Sequence, residues 1–308
     1  MQSLIKGKIL LGPSSFAEND NTPLEMLSSK GFQVVENPFK RKLTKPELMR
    51  LLSEDVTGLI AGLEPLDREV LKQSNLKVIS RVGAGLSNID LDAAKELKID
   101  ICFTPDGPTK AVAELTIGTM LSLIRMVPLM DKSLHDAIWD KRIGMQLEGK
   151  TIVIIGFGRI GRCVAELLSP FKTNTIVVDP YIKNQNIDYP ILSLEDAIVK
   201  ADIITIHSSG EDCILGSKEF RIIKKGAYIL NSSRGGLVSE PVLIKALEGK
   251  RISGAWLDTF EMEPYDGPLT KYDQVILTPH VGSYTHDCRK QMETEAVQNL
   301  LNAFKVIS

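Results

Sequence analysis

The sequence predicts an α/β protein of two domains, each a doubly wound parallel sheet flanked by helices, one domain inserted in the other. Three observations carry this. The chain has 308 residues, room for two domains of about 150 residues each. Short β-branched runs alternate with amphipathic helical patterns along most of its length, and such alternation implies parallel strands joined by right-handed crossovers. A glycine pattern at Gly156, Gly158 and Gly161 opens a second β-α series midway.

The first series reads as strands at Ile9–Leu11, Gln33–Val35, Gly58–Ala61, Val78–Arg81 and Asp100–Phe103. Helical patterns lie between them at Thr22–Lys30, Lys45–Ser53, Asp67–Gln73 and Asp90–Leu97. A Pro/Gly-rich stretch, Thr104–Thr109, reads as a linker. The helix expected from Thr109 to Arg125 is apolar on most faces and so is expected to be buried at a domain or subunit boundary. The second series has strands at Thr151–Ile155, Thr175–Val178, Ile203–His207, Ala227–Asn231, Ile252–Leu257 and Val275–Thr278, with helices at Arg159–Leu168, Ser193–Lys200 and Glu240–Glu248. A last helix near Asp287–Phe304 closes the chain. The expected domains are 1–108 with 284–308, and 109–283 inserted between them.

Composition narrows the function classes. Net charge is −2, with 43% hydrophobic and 25% charged residues, ordinary for a globular protein. The densest basic stretch, Lys40-Arg41-Lys42, reads as a solvated loop, so no nucleic-acid partner is expected. No apolar run approaches the roughly 20 residues that span a bilayer, so no membrane partner is expected either. Cys102, Cys163, Cys213 and Cys288 are scattered without a CxxC pair, which argues against a zinc site or a disulfide framework and fits a reducing cytoplasm. Met1–Lys6 lacks the zones of a signal peptide. A cytoplasmic protein without a metal is the expectation.

The segment Thr151-Ile-Val-Ile-Ile-Gly-Phe-Gly-Arg-Ile-Gly161 places G-x-G-x-x-G between an apolar strand and a helix, the context a dinucleotide site requires. Gly156 permits the tight turn, Gly158 admits a pyrophosphate against the backbone at the positive helix terminus, and Gly161 allows close helix–strand packing. Arg159 and Ile160, which open the helix, join the same cofactor-binding set. The next strand ends at Asp179, followed by Pro180. A carboxylate there accepts hydrogen bonds from ribose hydroxyls and repels the extra phosphate of NADP, so NAD is the expected cofactor. The plainer reading, a glycine turn with a strand-end aspartate, does not account for motif, context and acid together.

Three later segments put polar residues just beyond strands: Ile229-Leu-Asn-Ser-Ser-Arg-Gly-Gly236, Ala255-Trp-Leu-Asp-Thr-Phe-Glu-Met-Glu-Pro264 and Leu277-Thr-Pro-His-Val-Gly282. Loops past strand carboxyl ends line the ligand crevice of an open α/β sheet. Each residue alone has a plainer reading as a surface, capping or loop residue; order and spacing favour a shared site.

Together with the glycine motif, these segments resemble the D-isomer-specific 2-hydroxyacid dehydrogenase family over nearly the whole chain, and within it short phosphoglycerate dehydrogenases. Arg81-Val-Gly-Ala-Gly-Leu-Ser-Asn-Ile-Asp90 is similar to the family's substrate-carboxylate loop. The resemblance implies two Rossmann-like domains, NAD as cofactor, and a small 2-hydroxy or 2-oxo acid as substrate. It implies that Arg234 holds the substrate carboxylate, for which a planar guanidinium is suited, that His280 is the acid/base, and that Glu263 orients the imidazole. Asp258 is then expected near the nicotinamide carboxamide, with His207, Ser232 and Gly282 in the cofactor set. Backbone amides at Ala84 and Gly85 would bind the carboxylate, with Asn88 supporting their loop. Crossings near Asp106–Thr109 and Val281–Tyr284 would form a hinge whose closure assembles the site. The long helix and the Trp139 segment resemble the family's dimer surface, so a homodimer is expected.

The match departs at Ser208-Ser-Gly-Glu-Asp-Cys213, shorter and more acidic than the family's Pro-containing loop. Arg81, with Arg142, suits a phosphorylated substrate, whereas Gly62 stands where phosphoglycerate enzymes carry a further arginine; Arg81 also reads as a salt-bridged strand-end residue. The chain stops short of the regulatory extension of longer phosphoglycerate dehydrogenases, so no serine feedback site is expected. Two rival readings use the same fold: an NAD(H)-binding redox sensor or corepressor, and a phosphonate or formate dehydrogenase. Intact Arg234, Glu263 and His280 weigh against the first.

Overall fold

The computed structural model describes residues 7–182, 187–210 and 212–307. Met1–Lys6 and Glu211, part of two expectations above, lie outside the described residues. The chain divides into two compact units, Met1–Pro108 with Ser283–Ser308, and Thr109–Gly282.

In the first unit, β1 (Lys8–Leu11), β2 (Gln33–Val35), β3 (Val56–Ala61), β4 (Val78–Arg81) and β5 (Asp100–Phe103) pair in the order β2-β1-β3-β4-β5. All pairings are parallel, a doubly wound order. The intervening helices are α1 (Thr22–Ser29), α2 (Lys45–Leu51), α3 (Arg68–Lys72) and α4 (Leu91–Glu96). Side chains fix where some of these start: Asp67 accepts from the Val70 amide at 3.0 Å and Asp90 from the Ala93 amide at 2.8 Å, satisfying amides the helix cannot. Leu10, Leu59 and Ile79 are fully buried beneath α2–α4. Gly58 leaves room for Phe304 of the last helix; a Cβ there would lie 3.0 Å from its ring.

In the second unit, α5 (Pro108–Ile124) and α6 (Val127–His135) precede β6 (Thr151–Ile155), α7 (Arg159–Leu168), β7 (Asn174–Val178), α8 (Leu194–Ile198), β8 (Ile203–Ile206), α9 (Ser217–Ile222), β9 (Ala227–Asn231), α10 (Glu240–Glu248), β10 (Ile252–Leu257) and β11 (Val275–Leu277). The order is β11-β10-β9-β8-β6-β7, all parallel. A parallel bridge from Ile191 to Val177 adds a further segment outside β7. The chain therefore winds outward from β6 in both directions, and the switch point lies where β6 and β8 end side by side. Strands buried on both faces are continuous apolar runs: Ile152, Ile154, Leu230 and Trp256 face one layer with Met120 and Ile124 of α5, and Val153, Ile204 and Ile229 face the other. A final helix, α11 (His286–Ile307), returns to the first unit against β3–β5. Among the described residues no single helix is long and apolar enough to cross a membrane.

Candidate active site

The glycine turn follows from sterics. Gly156 has φ +88°, and a Cβ there would lie 2.7 Å from the His207 carbonyl carbon and oxygen; an L side chain is excluded on both counts. A Cβ at Gly161 would lie 2.2 Å from the Gly156 oxygen, so α7 packs directly on the turn. At Gly158, the N-cap of α7, a Cβ meets nothing within 4 Å. Open space at the N-terminus of a helix suits a pyrophosphate. Arg159 is exposed and Ile160 half-buried at the same helix start.

Asp179 directly follows β7 and spans the turn. Its Oδ2 accepts from the Phe157 amide at 2.8 Å and its Oδ1 from the Tyr181 amide at 2.9 Å, with Pro180 exposed between. The acid is thus fixed beside the glycine loop. His207 ends β8. Its Nε2 pairs with Thr205 Oγ1 at 2.9 Å, while Nδ1 is buried without a partner. Burial pushes the imidazole down to about 3, so it is neutral. Ser232 Oγ, beyond β9, is a second buried polar atom without a partner. Buried polar atoms are normally paired, and two orphans at adjacent strand ends, with the space at Gly158, fit a polar ligand laid across the carboxyl edge. The residues present therefore fit NAD.

Arg234 sits on a loop tied by Asn231, whose Nδ2 donates to the Arg234 oxygen at 2.8 Å and whose Oδ1 accepts from the Ser233 amide at 3.1 Å. Ser233 Oγ donates to the Ile206 oxygen at 2.7 Å, which joins the loop to β8. Gly235 lets it press against the next loop: a Cβ there would fall 2.0 Å from the Phe260 carbonyl carbon. That loop carries Glu263, whose Oε1 accepts from the Phe260 amide at 3.1 Å. Phe260 stacks on Tyr265 with centroids 4.1 Å apart, and the Tyr265 hydroxyl donates to Glu240 Oε1 at 2.9 Å.

His280 Nδ1 contacts Glu263 Oε2 at 2.9 Å and Oε1 at 3.1 Å. The two side chains are 35% and 25% exposed, open enough to meet a ligand. With Nδ1 committed to a carboxylate, Nε2 is the ring atom left to exchange a proton. Asp258 is 1% exposed. Its Oδ1 accepts from Thr278 Oγ1 at 2.5 Å and the Val281 amide at 2.9 Å, and its Oδ2 from the Gly282 amide at 2.9 Å. Thr278 Oγ1 in turn accepts from Trp256 Nε1 at 2.9 Å. Burial pushes the Asp258 carboxyl up, against the pull of these donors. Thr278, Trp256 and Tyr265 were not singled out in the sequence; Thr278 and Tyr265 each stand two residues from a candidate catalytic residue, the only signal available.

In the first unit, Arg81 is 8% exposed and its Nη1 donates to the Val82 oxygen. Asn88 Nδ2 donates to the oxygens of Glu64 at 2.7 Å and Gly62 at 3.3 Å, bracing the loop that carries exposed Ala84 and half-buried Gly85. Arg142 is paired with Asp140 at 2.7 Å. Among the described residues no cluster of metal-ligating side chains occurs.

Fold and site define a dinucleotide-binding α/β protein with a histidine–carboxylate pair at its strand ends. Residues 117–282 match the family model for the NAD binding domain of D-isomer specific 2-hydroxyacid dehydrogenases, and the chain belongs to that family. It is 38% identical over 269 residues to a D-3-phosphoglycerate dehydrogenase of Methanocaldococcus jannaschii, covering 84% of this chain and 51% of that protein. The chain thus spans about half the length of the phosphoglycerate dehydrogenases it matches. It is 34% identical over 282 residues to a glyoxylate reductase of Thermofilum pendens, covering 85% and 82% of the two chains. A solved structure from Thermus thermophilus superposes with a TM-score of 0.89 at 30% identity over 97% of both chains.

Proposed function

We propose that this chain is an NAD-dependent oxidoreductase that interconverts a small D-2-hydroxy acid and its 2-oxo acid. The observation that carries the reading is the His280–Glu263 pair, partly exposed and with Nδ1 2.9 Å from a carboxylate oxygen. Bound NAD supplies the acceptor or donor for the α-carbon's hydride. The chain's residues supply the rest. Gly156, Gly158, Arg159, Ile160 and Gly161 hold the pyrophosphate, and Asp179 with Pro180 the ribose. His207, Ser232, Asp258 and Gly282 border the cofactor's other end. Arg234 holds the substrate carboxylate with its planar fork. His280 Nε2 gives a proton to the substrate oxygen in reduction and takes it back in oxidation, and Glu263 keeps the ring turned for that exchange. In the first unit, the backbone amides of Ala84 and Gly85 have no backbone partner among the described residues, which supports an anion site on their own loop.

The substrate within this class is part of the proposal. The likeness to a D-3-phosphoglycerate dehydrogenase supports 3-phosphoglycerate, with Arg81 as the phosphate's partner. The burial of Arg81 and its bond to Val82 support an unphosphorylated acid, as does the likeness to a glyoxylate reductase. A homodimer is supported by a run of exposed apolar side chains: Leu134 (56%), Ile138 (58%), Trp139 (77%) and Ile143 (97%). A cytoplasmic location is supported by four free thiols. The test is NADH oxidation by purified protein against 3-phosphohydroxypyruvate, hydroxypyruvate, glyoxylate, pyruvate and 2-oxoglutarate. Turnover of one or more supports the reading, and the preferred acid decides the role of Arg81. NADH binding without turnover of any overturns it.

A further inference from the structure

We propose that Thr278 is a positioning residue: fixed by the Trp256 indole, its hydroxyl holds the Asp258 carboxylate that pins Val281 and Gly282, and so sets His280 against Glu263. The inference rests on the reading of His280 as acid/base.

The direction of each hydrogen bond is settled by chemistry. An indole N–H only donates, and a threonine hydroxyl has one proton. Trp256 donates to Thr278 Oγ1 at 2.9 Å, so that oxygen is the acceptor and its proton goes to Asp258 Oδ1 at 2.5 Å. The carboxylate is thereby oriented, and it receives the amides of Val281 and Gly282 at 2.9 Å each. The anchor is rigid. Trp256 is wholly buried, the Thr278 amide donates to the Leu257 oxygen at 3.1 Å, and the Asp258 amide to the Asn231 oxygen at 2.9 Å.

His280 lies between Thr278 and the pinned Val281, with φ +54° and its amide donating to the Thr278 oxygen at 2.9 Å. A non-glycine residue in that conformation is strained and persists only when its surroundings over-determine it. Here the surroundings are the bonds on either side: Thr278 before and Asp258 after. The backbone is held from the sheet, the ring from Glu263, and Nε2 has one direction left. Removing the hydroxyl leaves the indole N–H without its acceptor and a buried carboxylate oxygen short of a donor, which favours rearrangement of residues 278–282.

If Asp258 acted only through a contact with the cofactor, the outcome would differ: weaker NADH binding with turnover preserved at saturation. Thr278→Val keeps the shape and removes the hydroxyl; Thr278→Ser keeps the hydroxyl. Three quantities are measured: amide exchange at Val281 and Gly282 without cofactor, the NADH dissociation constant by fluorescence, and kcat and KM on the best 2-oxo acid. The expected result for Thr278→Val is faster exchange at both amides and a kcat lower by about tenfold to a hundredfold. Its NADH affinity stays within about twofold, and Thr278→Ser restores both amide exchange and kcat. Should Thr278→Val not fold, Thr278→Ala carries the same comparison. The proposal is overturned by unchanged kcat, by a loss confined to NADH affinity, or by failure of Thr278→Ser to restore turnover. A wild-type protein that turns over no 2-oxo acid overturns the acid/base reading, and this inference with it. Turnover insensitive to Thr278→Val overturns the inference alone.

Discussion

Gly235→Ala probes how closely the Arg234 loop must approach the Glu263 loop. A Cβ at Gly235 would lie 2.0 Å from the Phe260 carbonyl carbon, 2.2 Å from its oxygen and 2.3 Å from the Glu261 nitrogen. All three are backbone atoms, so no side-chain rotation relieves the overlap. Ordinary contact begins near 3.4 Å, so the loops must separate by about 1.4 Å. The Arg234 loop is stitched to β8 through Ser233, and Glu263 to the Phe260 amide, so the separation falls on Arg234 relative to the His280–Glu263 pair. A misplacement of about 1 Å costs roughly a hundredfold in rate where the displaced group orients the substrate. The assay is NADH-dependent reduction of the preferred 2-oxo acid, with NADH affinity by fluorescence and melting to establish folding. The expected result is a kcat/KM lower by about a hundredfold with NADH affinity nearly intact. A folded Gly235→Ala variant with kcat/KM within about threefold of wild type would refute the reasoning.

Asp179→Ala is expected to narrow the preference for NADH over NADPH by about tenfold or more, a difference of about 1.4 kcal/mol; an unchanged ratio removes Asp179 from the ribose site. His207 gives a stability prediction. Its folded-state value, about 3, lies below the ordinary 6.5, so the unfolded chain binds the proton first as pH falls. Stability from this group is therefore intact above pH 6.5 and declines toward pH 3, with about 1–2 kcal/mol lost by pH 5. Urea unfolding at pH 7 and pH 5 checks it: His207→Asn, which cannot titrate, is expected to lose less than wild type, and an equal loss contradicts it.

Much of the fold was legible because its strands are buried on both faces. Runs such as Thr151–Ile155 and Ile252–Leu257 need no partner information to be read as strands, and their structural bounds agree. α6 was not legible: it follows Met126 at φ +53°, carries Pro128, and buries none of its residues, so no packing face marks it. The short α9, with Phe220 its one buried residue, was missed for the same reason. The segment at Ile191 pairs by a single bridge, too little for a strand pattern. In the site, Arg234, Glu263 and His280 could be read because each follows a strand end, where a parallel sheet gathers its ligands. The Trp256–Thr278–Asp258 chain could not, because it depends on the register that sets Trp256 opposite Ile276 and Leu257 opposite Leu277. That register is a product of folding, absent from local pattern.

The central claim is that His280 moves the proton, and the most direct measurement is turnover of His280→Ala with NADH and the preferred 2-oxo acid, alongside its NADH affinity. The account predicts a kcat lower by about 10²–10⁴-fold, with NADH affinity within about twofold of wild type. Turnover within a few-fold of wild type would contradict it and move the acid/base role to another residue.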